Sequence, residues 1–89
     1  MTWTIEYGRG FAKPFSKLSH KNRERVLKFL DERVAMLDDP RTIGKALKGP
    51  ELKNLWRYRV GDIRILCEIQ DNRLVILVVE IGPRDSIYG

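Results

Sequence analysis

The chain has 89 residues, of which 33% are charged and 43% hydrophobic, and its formal net charge is +5 with an isoelectric point near 9.7. This length allows one compact core but not two, and the composition excludes a disordered chain, so we expect a single domain over residues 1–89. The positive charge favours polyanionic partners, because clustered Lys and Arg side chains gain affinity by displacing counterions from phosphates.

The first half of the chain predicts one strand and two helices. Residues 2–7 alternate apolar and polar side chains, which is typical of a half-buried strand. A short helix is predicted over residues 11–18, with Pro14 in the first turn, where proline is tolerated. Ser19 is the predicted N-cap of a longer helix over about residues 20–37, which Asp39-Pro40 ends. Its apolar side chains recur at helical spacing: Val26, Leu30, Val34 and Leu37.

The second half predicts a basic loop and three strands. Residues 42–54 contain Gly44, Gly49 and Pro50, which favour a connecting loop. Strands are predicted at about residues 52–60, 63–69 and 74–81, joined by tight turns at Gly61-Asp62 and Asp71-Asn72. The last strand is apolar on both faces, so we expect it inside the sheet rather than at an edge. The predicted fold is α+β in the order β-α-α-β-β-β, with the two helices on one face of a four-stranded, mainly antiparallel sheet.

Three arginines flank the first predicted turn. With Gly61-Asp62 as a two-residue loop, Arg59 lies opposite Arg64, and the alternation of side chains puts Arg57 on the same face as both. Like charges directly across a strand pair destabilise it by about 0.2–1 kcal/mol, so folding alone does not explain this arrangement, whereas an anionic ligand does. The opposite face is apolar and carries Trp56, Tyr58, Val60, Ile63, Ile65 and Cys67.

Arg84 and Tyr88 follow the last strand and extend the candidate site. The second predicted hairpin pairs Arg64 with Val79, which brings Arg84 to the end of the strand that bears Arg64. Arginine offers a rigid fork of donors that matches phosphate oxygens, so convergent arginines predict a phosphate or transition-state clamp. The Tyr88 ring is suited to stacking on an unpaired base and its hydroxyl to hydrogen bonding, and together these features favour RNA.

The competing interpretation gives the arginines structural roles. Glu68 lies on the same face by alternation, so an ion pair with Arg57 or Arg64 would explain that arginine without a ligand. Taken singly, Arg57 and Arg59 are ordinary solvated residues of an open sheet face.

Other classes of site find little support in the sequence. Cys67 is the only cysteine, so an internal disulphide is excluded and a buried structural thiol is predicted. With this cysteine and a single histidine, His20, no metal-ligand spacing exists, and we expect no metal and no cofactor. No signal peptide and no apolar stretch of about 18 residues are present, so we expect a cytoplasmic protein without a membrane partner.

Residues 55–69 and 74–84 together resemble the RelE toxins of type II toxin–antitoxin systems, through the runs LWRYRVGDIRILCEI and LVILVVEIGPR. The resemblance covers nearly the whole chain, including the opening strand, the paired helices with Lys17-Leu18, Asp39-Pro40, and Leu47-Lys48-Gly49 before the hairpin. It implies a RelE-like fold and a metal-independent mRNA interferase that cuts the codon in the ribosomal A site. In that family the ribose 2′-hydroxyl attacks the adjacent phosphate, so the RNA supplies its own nucleophile.

The resemblance also implies roles for individual residues. Arg64 and Arg84 would hold and neutralise the scissile phosphate, Arg57 and Arg59 would act electrostatically on the reacting oxygens, and Tyr88 would orient the base and phosphate. Contacts with 16S ribosomal RNA through its phosphates are implied for a second basic set: Lys21, Arg23, Arg25, Lys45, Lys48 and Lys53. The implied partners are the ribosome, mRNA and a RelB-like antitoxin that covers exposed apolar and basic surface.

Two other functions remain open at this point. Many relatives carry His-Arg-Arg or Lys-Arg where this chain has Pro83-Arg84-Asp85. A toxin that has lost catalysis and serves as an antitoxin-binding co-repressor is therefore one alternative. The other is a ParE-like toxin that shares the fold and blocks DNA gyrase without cleaving RNA. Loss of most of the arginine and tyrosine set would indicate it, and this chain retains that set.

Overall fold

The helices and the first strand appear in the predicted order. The computed structural model describes residues 2–47, 49 and 54–83. Strand β1 is Thr4–Tyr7, helix α1 is Ala12–Ser16 and helix α2 is His20–Phe29. The hydroxyl of Ser19 accepts a hydrogen bond from the Asn22 N–H at 3.2 Å, which confirms Ser19 as the N-cap of α2.

The long helix ends earlier than the predicted residue 37. Helix α2 continues as one π-helical turn, Leu30–Val34, in which the Ala35 N–H donates to the Leu30 carbonyl at 2.9 Å. The Ala35 carbonyl in turn accepts from the Trp3 N–H at 2.8 Å. The end of the helix is thereby joined to the start of β1, and a 3₁₀ helix, Pro40–Thr42, follows.

Within the described residues, the sheet contains five strands rather than the predicted four. Beyond β1 they are β2 Lys45–Ala46, β3 Leu55–Val60, β4 Ile63–Gln70 and β5 Val75–Pro83, in the spatial order β1-β5-β4-β3-β2. Strand β1 pairs with β5 in parallel, and the other pairs are antiparallel. The mainly antiparallel sheet and the interior position of the last strand are therefore confirmed, whereas β2 lies in the segment predicted as a loop.

Strand β2 forms because Gly44 turns the chain against β3. Gly44 has a φ of +80°, and a Cβ atom there would lie 2.5 Å from the Arg57 carbonyl oxygen, so the approach requires glycine. The Trp56 Nε1–H donates to the Ile43 carbonyl at 2.7 Å and fixes the start of β2 on β3. A strand of two residues has no alternating pattern, which is why the sequence did not reveal it.

The core lies between the helices and one face of the sheet. Val26, Leu30 and Val34 are completely buried and recur at four-residue spacing on α2 and its π turn. The sheet contributes Tyr58, Ile63, Ile65, Cys67, Ile69, Ile76, Val78 and Ile81, which include most of the apolar face predicted for the first hairpin. The opposite face of the sheet carries the candidate site. Within the described ranges no helix is long and apolar enough to cross a membrane.

Candidate functional site

The β3–β4 hairpin positions three arginines as predicted. Its loop is Gly61-Asp62, and Arg59 lies directly opposite Arg64. Arg57 lies opposite Leu66, so all three arginine side chains leave the same face of the sheet. Gly61 has a φ of +58°, the left-handed conformation that a tight hairpin turn requires.

Strand β2 adds a fourth cation to this face. Lys45 is the cross-strand partner of Arg57, so its side chain leaves the sheet on the same side. We refer to Lys45, Arg57, Arg59 and Arg64 as the basic face. Arg59 and Lys45 are exposed, whereas Arg57 and Arg64 are half-buried and the Nε atom of Arg64 is fully buried. Four cations on three adjacent strands concentrate positive charge on this face, and the directly opposed Arg59 and Arg64 repel each other.

An ion pair between Glu68 and an arginine of this face was predicted as the alternative to a bound ligand. Its Oε1 atom accepts a hydrogen bond from the Gln70 Nε2–H at 2.7 Å. Among the described residues, the arginine–carboxylate salt bridges lie elsewhere: Arg41 with Asp71 at 2.7 Å and with Asp39 at 3.8 Å, and Arg73 with Glu6 at 3.1 Å. None of these salt bridges joins Glu68 to an arginine of the basic face. The prediction that Glu68 forms an ion pair with Arg57 or Arg64 is therefore not supported.

A cleft of about 370 Å³ opens beside the basic face, between the β3 edge and the helices. We call it the edge cleft, and its walls are formed by Phe29, Arg33, Ile43, Gly44, Lys45, Arg57, Tyr58 and Arg59. Arg64 does not line it. Arg33 was predicted only as part of a solvated helix face. Its spacing of four residues from Phe29 is the one sequence signal that could have placed it on this wall.

The residues predicted to contact ribosomal RNA have different surroundings. Lys21 is exposed on α2. Arg23 is half-buried, and its Nη1–H donates to the Leu18 carbonyl at 2.7 Å and the Ser16 carbonyl at 3.3 Å, so it ties α2 to the end of α1. The guanidinium of Arg25 lies over the hairpin loop, 3.1 Å from where a Cβ atom of Gly61 would be.

The remaining predicted residues lie outside the described residues: Lys48, Lys53, Arg84 and Tyr88. The register used to bring Arg84 near Arg64 was wrong, because Arg64 pairs with Gly82 rather than with Val79. The β4–β5 turn contains four residues instead of two, and a β-bulge between Leu66 and Cys67 shifts the register further. As a result, the described part of β5 ends at Pro83 opposite Ile63, beside the β3–β4 loop.

Cys67 and His20 are reactive residue types, but their surroundings are those of structural side chains. Cys67 is fully buried, and burial raises the pKa of its thiol, which keeps it protonated. The predicted buried structural thiol is therefore confirmed. His20 Nε2 lies 2.8 Å from Glu24 Oε1 on the exposed side of α2, and His20 does not line the edge cleft.

Comparisons with known proteins agree on one superfamily. The family model described as "ParE toxin of type II toxin-antitoxin system, parDE" matches residues 5–88. A search of curated proteins found no match. Among solved structures, the RelBE2 toxin–antitoxin complex of Mycobacterium tuberculosis matches with a TM-score of 0.83, 21% identity, and coverage of 94% of this chain and 93% of that one.

Two further structures give the same fold. The isolated Escherichia coli RelE toxin matches with a TM-score of 0.72 and 18% identity, over 97% of this chain and 88% of that one. The RelE–RelB complex of Pyrococcus horikoshii OT3 matches with a TM-score of 0.73 and 24% identity, over 98% of this chain and 100% of that one. At these identities the structural matches establish the fold, and the family model establishes the family.

Proposed function

Because the chain belongs to the ParE toxin family of type II toxin–antitoxin systems, and so to the RelE/ParE superfamily, we propose that it is a ribosome-dependent mRNA interferase. It would cut mRNA at the codon in the ribosomal A site. The observation that carries the proposal is the basic face, where Arg57, Arg59 and Arg64 converge beside Lys45. Such a cluster is suited to a phosphodiester, whose charge increases on the way to the transition state.

In the proposed reaction the RNA provides the nucleophile. The ribose 2′-oxygen bonds to the adjacent phosphorus, the bond from phosphorus to the 5′-oxygen breaks, and the products are a 2′,3′-cyclic phosphate and a free 5′-hydroxyl. Arg64 and Arg84 hold and neutralise the phosphate during this exchange. No metal or cofactor takes part in this scheme, because guanidinium groups supply the positive charge and the ribose supplies the attacking oxygen.

Arg57 and Arg59 act through charge rather than as proton acceptors. A guanidinium stays protonated at any physiological pH and carries no free lone pair, so it is a poor general base. The 2′-oxygen loses a proton and the 5′-oxygen gains one, and nearby cations lower the cost of the negative charge on each. Tyr88 orients the base and phosphate, so that the reacting atoms are held in line.

The proposed partners follow from the surface. Lys21, Arg23, Arg25, Lys48 and Lys53 would contact phosphates of 16S ribosomal RNA, which position the toxin without reading sequence, whereas Lys45 belongs to the basic face and would contact the mRNA. A RelB-like antitoxin would cover apolar surface, and the exposed large apolar side chains of the described residues are Tyr7, Leu27 and Met36. Such partners imply a cytoplasmic site of action.

The direct test measures cleavage of mRNA on programmed ribosomes. We expect in-frame cuts with the purified toxin, and a loss of about 100-fold or more in rate for Arg64→Ala, since a preorganised charge at the phosphate is removed. Arg73→Ala is the matched control, because Arg73 pairs with Glu6 away from the basic face. Uncut messages with the unaltered chain would overturn the proposal.

A second test separates catalysis from antitoxin binding. Arg84→Ala should relieve growth arrest on induced expression while antitoxin binding stays nearly unchanged. A fully toxic Arg84→Ala protein would remove Arg84 from the proposed site.

The second candidate function is gyrase inhibition, which the ParE description of the matching family model favours. It would cause a DNA-damage response while mRNA stays intact. The retained arginines of the basic face favour RNA cleavage over this candidate. The third candidate, a co-repressor without catalysis, rests on Pro83 and Asp85 and predicts antitoxin binding with no growth arrest.

A further inference from the structure

The edge cleft exists because β2 is shorter than its neighbour. Lys45 pairs with Arg57, and the chain before it turns away at Gly44. The next part of β3, from Tyr58 to Val60, therefore has no strand on that side among the described residues. Phe29 and Arg33 form the facing wall from α2 and its π turn. The result is a recess whose walls come from three separate segments of the chain.

Three cations of the edge cleft have no carboxylate partner among the described residues. Arg33, Lys45 and Arg59 are all exposed, and the described residues that line the cleft include no Asp or Glu. In the part of the chain that the structure describes, none of these three cations forms a salt bridge. Cations gathered from a helix and two strands repel one another, so a bound anion would stabilise this arrangement.

The floor of the edge cleft is apolar and aromatic. The Phe29 and Tyr58 rings meet edge to face with their centroids 6.0 Å apart, and Ile43 lies beside them. A half-buried aromatic ring next to cations suits a nucleotide, since the base or ribose covers the ring while the phosphate meets the charges. The volume of about 370 Å³ lies in the lower part of the roughly 300–1,000 Å³ range of small-ligand pockets.

An acidic peptide fits the cleft less well. A peptide that adds to a sheet edge needs a run of free main-chain groups, and this open edge covers only Tyr58 to Val60. A compact ligand with one phosphate meets the three cations without needing a long edge.

The cleft is continuous with the basic face through Arg59. This residue lines the cleft and is also the cross-strand partner of Arg64. Lys45 pairs with Arg57, and Arg64 pairs with Arg59 two residues further along β3, so two strand spacings and a two-residue step place the Lys45 and Arg64 backbones about 12 Å apart. An RNA strand whose scissile phosphate lies at Arg64 would therefore pass the cleft mouth.

We propose that the edge cleft, through Arg33 and Lys45, binds the nucleotide next to the scissile phosphodiester. This inference rests on the proposed function, and it adds a second phosphate-binding site with Arg33 as a residue that determines RNA affinity. The cleft would contribute to binding and positioning of the RNA strand, whereas the basic face would carry the chemistry.

The test uses full-length ¹⁵N-labelled protein and RNA that it cannot cut. Two 2′-O-methyl oligonucleotides are titrated, a trinucleotide and the same sequence extended by one nucleotide, with the extension placed at either end in separate experiments. For one end we expect tighter binding of the longer RNA and shifts at the amides of Gly44 and Lys45. Arg33→Ala should weaken binding of the longer RNA by about two- to fivefold and leave the shorter unchanged.

The double variant Arg33→Ala with Lys45→Ala should lose about tenfold on the longer RNA. Lys13→Ala is the control, because Lys13 is an exposed cation on α1, next to β5 and away from the β2 edge. Lys13→Ala removes one positive charge, as Arg33→Ala does, and should alter the affinities for both RNAs equally and slightly. Equal losses on both RNAs for Arg33→Ala, or no loss on either, would overturn the proposal.

Three further outcomes separate the alternatives. A poly-glutamate peptide that displaces the RNA from the Gly44 and Lys45 amides at lower concentration than free adenosine monophosphate does would overturn the proposal in favour of a protein partner. Binding of the longer RNA through the cleft by a protein that never cuts translated messages would overturn the proposed nuclease function instead. Cutting without any shift at the cleft would overturn the cleft assignment alone.

Discussion

Tyr58 shows how one residue of β3 links the core to the 3₁₀ helix Pro40–Thr42. Its side chain is 1% exposed, and its hydroxyl donates to the Pro40 carbonyl at 2.7 Å. Burial raises the pKa of the Tyr58 hydroxyl, so it remains a neutral donor at any physiological pH. Arg57 and Arg59 are its chain neighbours, so the anchoring of Tyr58 also fixes the strand that presents them.

We predict that Tyr58→Phe lowers the free energy of unfolding by about 1–3 kcal/mol, because the buried Pro40 carbonyl loses its donor. Urea denaturation measures the change. Tyr7→Phe is the control, since Tyr7 is 42% exposed, and it should stay within about 0.5 kcal/mol. A Tyr58→Phe protein as stable as the unaltered chain would mean that the Pro40 carbonyl finds another donor.

The Cys67 thiol gives a second test at this scale. It is completely buried and its pKa is raised by burial, so the reactive thiolate is scarce and inaccessible in the folded protein. We predict that Ellman's reagent modifies Cys67 only as fast as the protein opens, and rapidly once urea unfolds it. Fast modification of the native protein would contradict both the burial and the structural role.

At the residue level, alternation alone predicted the common face of Arg57, Arg59 and Arg64 and the burial of Cys67, and the register confirms both. Arg33 was missed for a physical reason. A helix pattern separates buried from exposed positions, but it does not say which exposed position lies next to a strand edge until the packing is known.

At the scale of elements, the β4–β5 hairpin marks the limit of local patterns. The alternation of apolar residues predicted both strands, yet the register was wrong because the turn has four residues and because β5 has a bulge at Val79, which the pairing skips between Leu66 and Cys67. A bulge adds one residue to one strand and reverses which side chains face the core beyond it. Ile81 lies in the core as a consequence, although simple alternation from Val79 would put it on the other face.

The prediction for a single element concerns Gly44, because this residue allows β2 to pair with β3. A Cβ atom at this position would lie 2.5 Å from the Arg57 carbonyl oxygen and 2.7 Å from the Trp56 Nε1 atom. We predict that Gly44→Ala lowers the free energy of unfolding by about 1–3 kcal/mol through backbone strain. The clash with Arg57 and Trp56 should lower it further. Thermal and urea denaturation measure the loss.

Gly61→Ala is the matched control for Gly44→Ala. Gly61 also has a positive φ, but a Cβ atom there meets only the flexible Arg25 side chain at 3.1 Å. It should therefore cost only the backbone strain of about 1–2 kcal/mol. A smaller loss for Gly44→Ala than for Gly61→Ala would show that β2 separates from β3 without penalty.

For the whole molecule, the sequence predicted the α+β class, the helices on one sheet face and the interior position of the last strand. These features depend on long apolar patterns, which local sequence carries well. The fifth strand and the edge cleft depend on contacts between Gly44, Trp56 and Arg57, which no local pattern encodes. The part of the site that sequence could not predict is thus the part built by tertiary contacts.

A salt bridge between the 3₁₀ helix and the β4–β5 turn gives the last prediction. Arg41, in the 3₁₀ helix, donates through Nη1 to Asp71 Oδ1 at 3.0 Å and through Nη2 to Oδ2 at 2.7 Å, in the turn between β4 and β5. These hydrogen bonds hold the pKa of the Asp71 carboxyl below its usual value. The lowered pKa means that the charged carboxylate stabilises the folded state. This stabilisation is complete above the unfolded-state pKa of about 3.9 and is lost as pH falls through the lower folded-state value.

We therefore predict that Asp71→Asn lowers the free energy of unfolding at pH 7 by less than about 1 kcal/mol, since the pair is largely exposed to water and screened. The difference between variant and unaltered chain should shrink in the acid range below about pH 4 and in high salt. Urea denaturation at pH 7, 5, 3 and 2 measures this difference.

Asp62→Asn, in the exposed β3–β4 turn, is the control and should show no such difference at pH 7. If the difference in free energy of unfolding between Asp71→Asn and the unaltered chain stays constant from pH 7 to pH 2, Asp71 acts through its shape and hydrogen bonds rather than its charge. The 3₁₀ helix and the β4–β5 turn are then held together by the rest of the core.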